Sequence, residues 1–240
     1  MLFVLPSLMI YVVYIAAAVA PAALLLRYIY KKDSIEKEPL PLLIVLLLLG
    51  IAAAFVSIIL ETIGTKLLDI FVDSGSKAYV ILLAFIVVAV VEEGAKFFFL
   101  RLRTWRDPNF NFTFDAVVYS VFVSLGFAAF ENIKYVMGYG LSVALPRAFL
   151  AIPGHMGFAV FMGIYYGRAK LCERAGDMAA CKRNIRTGYV LAVLLHGFYD
   201  ACAMIGTTLS TLLFIVFVVL MYIIVIRTVK RESINDTEIF

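Results

Sequence analysis

Seven ionisable side chains lie inside long apolar stretches of this sequence, where an unpaired charge is costly. These side chains are Glu92, Glu93, Lys96, Glu131, His155, His196 and Asp200. Near the centre of a membrane helix an Asp or Lys costs roughly 2.5–3.5 kcal/mol, and such residues usually face the protein interior or a wet cavity. A marginally stable fold cannot carry several unpaired charges of this kind. We therefore expect these side chains to pair with one another, to contact water or to hold a metal ion.

The spacing of the first acidic cluster predicts one ion pair and one additional carboxylate. Glu92 and Lys96 are four residues apart, so they share a helix face and can form an intrahelical ion pair. That pair lets an apolar helix tolerate one acid, but it does not explain a second acid beside the first. Glu93 points about 100° away from Glu92 around the helix axis. By this criterion Glu93 is the carboxylate that is less engaged by the ion pair. The sequence does not decide which of the two faces a cavity.

The second cluster pairs an imidazole with a carboxylate. His196 and Asp200 are also four residues apart, so the carboxylate can orient the ring and fix its tautomer, as it does behind metal ligands and general bases. A single histidine in an apolar helix is more often a packing element than a catalyst. The chain contains only two histidines, however, and both His155 and His196 fall in apolar helices. This distribution favours a functional role for both.

Buried carboxylates and imidazoles are suited to activating water for attack on a carbonyl. A glutamate can take the proton of the attacking water, and a histidine or a metal ion can stabilise the oxyanion. In one version of this chemistry His155, His196 and Glu131 bind Zn²⁺, and Glu92 or Glu93 is the base.

In the other version no metal is needed. A glutamate activates the water directly, and the histidines stabilise the developing charge together with Asn132 or Asp200. Both versions stay open at this point. The candidate catalytic residues are Glu92, Glu93, Glu131, His155 and His196, and the candidate supporting residues are Lys96, Asn132 and Asp200.

Membrane helices must position these residues. Hydrophobic residues make up 64% of the chain, charged residues 16%, and the mean hydropathy is +1.00, whereas soluble domains have about 45–50% apolar and about 25% charged residues. Runs of about 20 apolar residues suffice to cross the bilayer. We predict an all-α polytopic membrane protein with one transmembrane domain over 1–240 and a catalytic core over about 78–205. The predicted spans are 3–26, 40–63, 78–100, 114–136, 145–167, 187–205 and 208–228, with a short eighth helix around 141–152 as an alternative.

The distribution of Lys and Arg predicts the orientation. The loops on one side of the membrane, together with the C-terminal tail, carry 16 Lys and Arg residues, whereas the opposite side carries 4. Because Lys and Arg concentrate on the cytoplasmic side, the N-terminus is expected outside and the C-terminus in the cytoplasm. The first span lacks a basic leading region and is expected to be an uncleaved helix. No basic stripe interleaved with aromatic residues is present, so the sequence argues against nucleic-acid binding.

Helix rise also predicts how deep the candidate residues lie. Glu92, Glu93 and His196 fall roughly 12–14 Å from the cytoplasmic side. His155 falls near ~20 Å and Glu131 near ~25 Å. The two groups differ by several ångströms, which a tilted or re-entrant segment could bridge.

Four short motifs resemble those of the PrsW family of intramembrane proteases. Residues 92–96 (EEGAK) resemble its EExxK motif, and residues 127–131 (FAAFE) resemble FxxxE. Residues 147–167 resemble the arginine and histidine segment of the family, and residues 196–200 (HGFYD) match HxxxD. Each pattern alone is weak, but four in family order, each in an apolar helix, form a specific signature over about 90–205.

The resemblance implies a multi-pass endopeptidase of the cell membrane, related to CAAX-processing and bacteriocin-processing proteases. Its partners would be the lipid bilayer and a membrane-anchored protein substrate, such as a regulatory protein of the anti-sigma-factor type. The family is often described as metalloproteases, yet the zinc motif HExxH is absent from this sequence. The cofactor therefore stays undetermined, with Zn²⁺ as the candidate.

Two other functions are compatible with buried ionisable residues. A proton-coupled transporter also uses Glu, Lys and His relays, but its usual inverted repeats and broken helices are not recognisable here. A non-catalytic membrane scaffold is the second alternative. The adjacent glutamates together with both histidines argue against it.

Overall fold

The computed structural model describes residues 4–239, which fold almost entirely into helices. Eight α-helical elements follow one another along the chain: α1 Val4–Lys32, α2 Leu40–Phe71, α3 Lys77–Thr104, α4 Asp115–Tyr139, α5 Ala144–Phe149, α6 Ala151–Arg174, α7 Met178–Ile205 and α8 Thr208–Ile234. The helical period inside α3 is interrupted by a π-helical stretch over Leu83–Ala89. The prediction of an all-α protein is confirmed.

Seven spans are long and apolar enough to cross a membrane, which confirms the predicted number. The fifth, Leu141–Arg174, consists of a single 3₁₀ turn, the short helix α5 and the long helix α6. With six residues α5 extends only ~9 Å, so the alternative eighth helix exists but does not cross the bilayer by itself. The first predicted span begins at residue 3, which lies outside the described residues.

Several helices extend further than the apolar runs predict. α7 begins at Met178 rather than at 187, because residues 178–186, which include Lys182, Arg183 and Arg186, continue the helix beyond the apolar part of the span. Asp177 caps this start, where its side chain accepts a hydrogen bond from the backbone N–H of Ala180 at 2.8 Å. Hydropathy detects only the part of a helix that contacts lipid or core, so it misses such polar extensions.

α4 is the central helix of the bundle. The most apolar segment of α4 is 78% buried, whereas that of α1 is 11% buried. α4 packs against α1, α2 and α6. α2 approaches it very closely at Gly50, where an added Cβ would lie 2.0 Å from the carbonyl oxygen of Val123. The absence of a side chain therefore permits backbone contact between the two helices, and it fixes α2 beside the helix that carries Glu131.

A carboxylate cluster lies in the loop between α1 and α2, outside the spans. Glu38 is 3% exposed, and its Oε2 accepts a hydrogen bond from the Tyr119 hydroxyl at 2.6 Å. Burial raises the pKa of Glu38 to about 7, although the Tyr119 hydrogen bond opposes the shift. The pKa of the neighbouring Asp33 is raised to about 6, again chiefly by burial. The fold thus favours the protonated form of both acids.

These shifts predict that the loop is destabilised as pH rises. Because the pKa of Glu38 is higher in the folded protein than in the unfolded chain, its contribution is fully present below the unfolded value. It is lost as pH rises through about 7. We expect Glu38→Gln, which can still accept the Tyr119 hydrogen bond, to become more stable relative to the wild type between pH 5 and pH 8, by on the order of 1–3 kcal/mol. Unfolding measured in detergent at both pH values tests this, and a stability difference independent of pH would contradict it.

Candidate active site

α3 positions three of the candidate side chains just after its π-helical stretch. Such a stretch inserts an extra residue into the helical period and is frequent at functional sites. Glu92, Glu93 and Lys96 follow it within two turns and are all buried. α7 packs against the same stretch, and an added Cβ at Gly197 would lie 2.4 Å from the Phe85 ring. This close packing places the helix that carries His196 beside the two glutamates.

Lys96 lies at the centre of the cluster. Its ammonium contacts Oε1 of Glu93 at 2.8 Å, Oε2 of Glu92 at 3.1 Å and Nδ1 of His155 at 3.1 Å. It also lies 4.0 Å from the centroid of the Phe127 ring. With 2% of its surface exposed, the ammonium is stabilised by these neighbours instead of by water. One lysine therefore joins both glutamates of α3 to the histidine of α6.

The contacts of His155 assign its tautomer. An ammonium can only donate hydrogen bonds, so Nδ1 of His155 accepts from Lys96 and Nε2 carries the proton. Nε2 faces Oε2 of Glu131 at 3.2 Å. His155 is thus a neutral ring held between the lysine of α3 and the glutamate of α4.

His196 contacts carboxylates on both sides of its ring. Nδ1 lies 2.9 Å from Oε1 of Glu93, and Nε2 lies 3.3 Å from Oδ2 of Asp200. Ionised carboxylates only accept hydrogen bonds, so Nδ1 donates to Glu93, and the acids around the ring favour its imidazolium form. Nε2 is also 3.9 Å from Oε2 of Glu92. His196 therefore lies in contact with one glutamate of α3 and near the other.

Glu131 belongs to a second group of contacts beside the first. Its Oε2 accepts from Nη2 of Arg147 at 2.7 Å, and Nε of Arg147 donates to Oδ1 of Asn132 at 2.8 Å. Asn132 in turn donates to the backbone carbonyl of Ala18 on α1 at 2.8 Å. Arg147 was not among the candidate side chains, because its position near the start of a predicted span made it resemble an ordinary loop charge. The sequence feature that could have identified Arg147 as a site residue is its position inside the motif-bearing region.

A cavity of about 530 Å³ opens beside these groups and is lined by residues of α2 to α8. Glu92, Glu131, His155 and His196 form part of its wall, together with Arg147 and Asp200. Glu93 faces Lys96 and His196 behind that wall and is 1% exposed. The structure thus brings the candidate residues of four helices together at one cavity, and it makes Glu92 the cavity-facing member of the glutamate pair.

The donor types at this site are those that zinc prefers. Glu92, Glu93, His155 and His196 each offer a ligand atom, and these atoms lie within 4.8 Å of one another. In addition, Oε2 of Glu93 is buried without a hydrogen-bond partner among the described residues. These four residues would hold the ion. Glu131, which the predicted zinc set included with the two histidines, instead contacts His155 and Arg147.

Comparisons with known proteins agree with the motif pattern. Residues 38–227 match the model of the family described as PrsW family intramembrane metalloprotease. The chain is 35% identical to "Protease PrsW" of Geobacillus kaustophilus over 78% of this chain and 77% of that protein. It is 33% identical to the Oceanobacillus iheyensis protein of the same name over 92% and 96%, and 32% identical to the Bacillus subtilis one over 94% and 98%. No solved structure matches.

The matched region contains every residue that lines the cavity, and the relatives are bacterial proteins named as proteases. The seven spans make the chain a multi-pass protein of the cell membrane. On these grounds the chain belongs to the PrsW family of intramembrane proteases.

Proposed function

We propose that this protein is an endopeptidase that hydrolyses a peptide bond of a membrane-anchored protein, with Glu92 as the general base. One observation carries the proposal: Oε2 of Glu92 and Nε2 of His196 lie 3.9 Å apart on the wall of one cavity. A carboxylate and a cationic ring at this separation can act together on a single carbonyl group. Lys96 holds Glu92 in place without blocking its access to the cavity.

The reaction divides between these two side chains. Glu92 takes a proton from a water molecule while the water oxygen bonds to the carbonyl carbon. The carbonyl electrons move to oxygen, and the positive charge of His196 stabilises the resulting oxyanion. When the carbon–nitrogen bond breaks, Glu92 returns the proton to the leaving nitrogen. The products are a carboxylic acid and an amine, and a proton passes from the acid to the amine to give a carboxylate and an ammonium group.

The remaining residues of the cluster position the reacting groups. Glu93 and Asp200 hold His196 between them, which fixes the orientation of the ring and keeps both nitrogens protonated. Lys96 balances the charge of Glu92 and Glu93. Glu131 holds His155 and Arg147 at the cavity wall. These residues are positioning residues, whereas Glu92 and His196 act on the substrate.

Zinc would be held by Glu92, Glu93, His155 and His196, the last as a neutral ring instead of an imidazolium, and would supply a Lewis acid for the carbonyl group. The proposed hydrolysis uses water, the substrate and side chains of this chain. The ammonium of Lys96, which contacts three of these four residues, supplies positive charge at the same centre.

The substrate must expose its backbone before it can be cut. In a lipid-embedded helix the carbonyl groups are hydrogen-bonded within the helix, so the scissile segment has to be unwound or lie near the membrane surface. We infer a substrate that is anchored in the membrane. The motif resemblance implies a regulatory protein of the anti-sigma-factor type.

Reconstituted protein and a membrane-anchored reporter test the proposal. The wild type should cut the reporter into two fragments, and hydrolysis in isotope-labelled water should place the label in the new carboxylate. Addition of a chelator, with zinc restored afterwards, determines whether turnover needs a metal. If the same vesicles show proton-coupled uptake and no cleavage of the reporter, the proposal is wrong and the protein is a transporter.

A further inference from the structure

Glu61 places an additional carboxylate in the catalytic cavity, outside the four sequence motifs. On α2 the cavity is lined by Ala54, Ser57, Ile58 and Glu61, which recur every three or four residues and so share one face of that helix. The histidines of α6 and α7 line the same cavity. A substrate chain that fills this cavity to reach Glu92 therefore also lies beside this face of α2.

The other carboxylates of the cavity wall have cationic or imidazole partners. Glu92 contacts Lys96, Glu131 contacts Arg147, and Asp200 contacts His196. Within residues 4–239, Glu61 has neither a hydrogen-bond partner nor an ion-pair partner, and it is only partly buried. It is the acid of this wall that stays available to a ligand.

The charges of the wall give the cavity a negative excess. Its acids are Glu61, Glu92, Glu131 and Asp200, and its cations are Lys134, Arg147 and the protonated ring of His196. Lys134 is exposed and lies 5.6 Å from the centroid of the Tyr135 ring, beyond ion-pair distance of Glu61. A cation entering the cavity would find an unpaired carboxylate at Glu61.

The surroundings of Glu61 favour a basic side chain over a metal ion as that cation. Structural and catalytic zinc sites need at least three protein ligands, and the one group of metal-capable residues in the described part of the chain does not include Glu61. A lysine or arginine needs only one carboxylate, and arginine can bind it through two parallel hydrogen bonds. Partial removal of water from the cavity strengthens such a contact.

We infer that Glu61 selects substrates that carry a lysine or arginine close to the scissile bond. This inference rests on the proposed function, since it names a specificity residue of the same cavity. Glu61 binds the substrate without taking part in bond cleavage. The preference for a basic residue can therefore fail while the protease activity remains.

A set of matched reporters tests this specificity. Each reporter carries arginine, glutamine or glutamate at one chosen position near the scissile bond and is otherwise identical. The chosen position is varied through the residues on both sides of that bond. At one of these positions we expect the wild type to cleave the arginine reporter with a kcat/KM about 10- to 100-fold above that of the glutamine reporter, which is typical of a hydrogen bond to a charged group. In Glu61→Gln the ratio should fall to nearly one, and in Glu61→Lys the glutamate reporter should become the preferred one.

The variant Lys134→Gln is the matched control, because it removes a charge of the same cavity wall that lies on α4, the helix packed against α2. It should keep the preference for arginine or strengthen it. If the wild type cleaves all three reporters equally, or if Glu61→Gln keeps the wild-type ratio, the inference is wrong although the protein is a protease. If no reporter is cleaved at all, the proposed function itself is wrong.

Discussion

Replacing Glu92 by glutamine should lower kcat for a membrane-anchored reporter by about 10²- to 10⁴-fold, the range expected when a general base is lost. The amide has the shape of the carboxylate but cannot accept the proton of the attacking water. KM should change little, because Glu92 contacts the water and not the bulk of the substrate. Single-turnover cleavage by purified protein measures the effect on the chemical step.

The matched control is Glu36→Gln, which makes the same chemical change in an exposed loop away from the cavity. It should keep nearly full activity. The comparison with Glu93→Gln separates the two roles within the glutamate pair. If Glu92→Gln retained turnover while Glu93→Gln abolished it, Glu93 would be the base and the assignment made from the cavity wall would be wrong.

Replacing Lys96 by methionine should destabilise the protein by about 3–5 kcal/mol, the usual cost of removing one partner from a buried ion pair. The ammonium contacts both glutamates and His155, and all four side chains are buried. Without it, two carboxylates lie close together away from water with their main counter-charge removed. Chemical unfolding in mixed micelles measures the loss directly.

A second substitution tests whether charge causes this loss. Lys96→Met combined with Glu92→Gln removes one of the uncompensated carboxylates. The double variant should therefore recover a substantial part of the lost stability, although it stays inactive. If the double variant is less stable than Lys96→Met alone, the loss comes from packing around the lysine stem, and the ion-pair account is contradicted.

The elements of the fold could be predicted from the sequence because membrane spans depend on local composition. Each span is a run of apolar residues, and both the number of spans and the all-helical class follow from such runs. Pairs within one helix also follow from spacing, as the contacts of Lys96 with Glu92 and of His196 with Asp200 illustrate. Helical geometry alone determines which residues share a face.

Contacts between helices could not be predicted in this way. Depth estimates placed His155 several ångströms from Glu92 and Glu93, yet its ring contacts the ammonium of Lys96, which reaches across from α3 on a long stem. The break before α6 and the π-helical stretch in α3 shift the register of both helices. Because neither irregularity has a signature in hydropathy, the choice between Glu92 and Glu93 required the structure.

A double-mutant cycle between Glu92→Gln and His196→Ala is the measurement that tests most directly whether residues from separate helices form one catalytic unit. If both side chains act on the same carbonyl group, losing either one disables the unit, and the double variant should be little slower than the worse single variant. The reporter, the membrane and the single-turnover conditions stay the same throughout. Rate losses that multiply as for two independent sites would contradict a shared catalytic centre at this cavity.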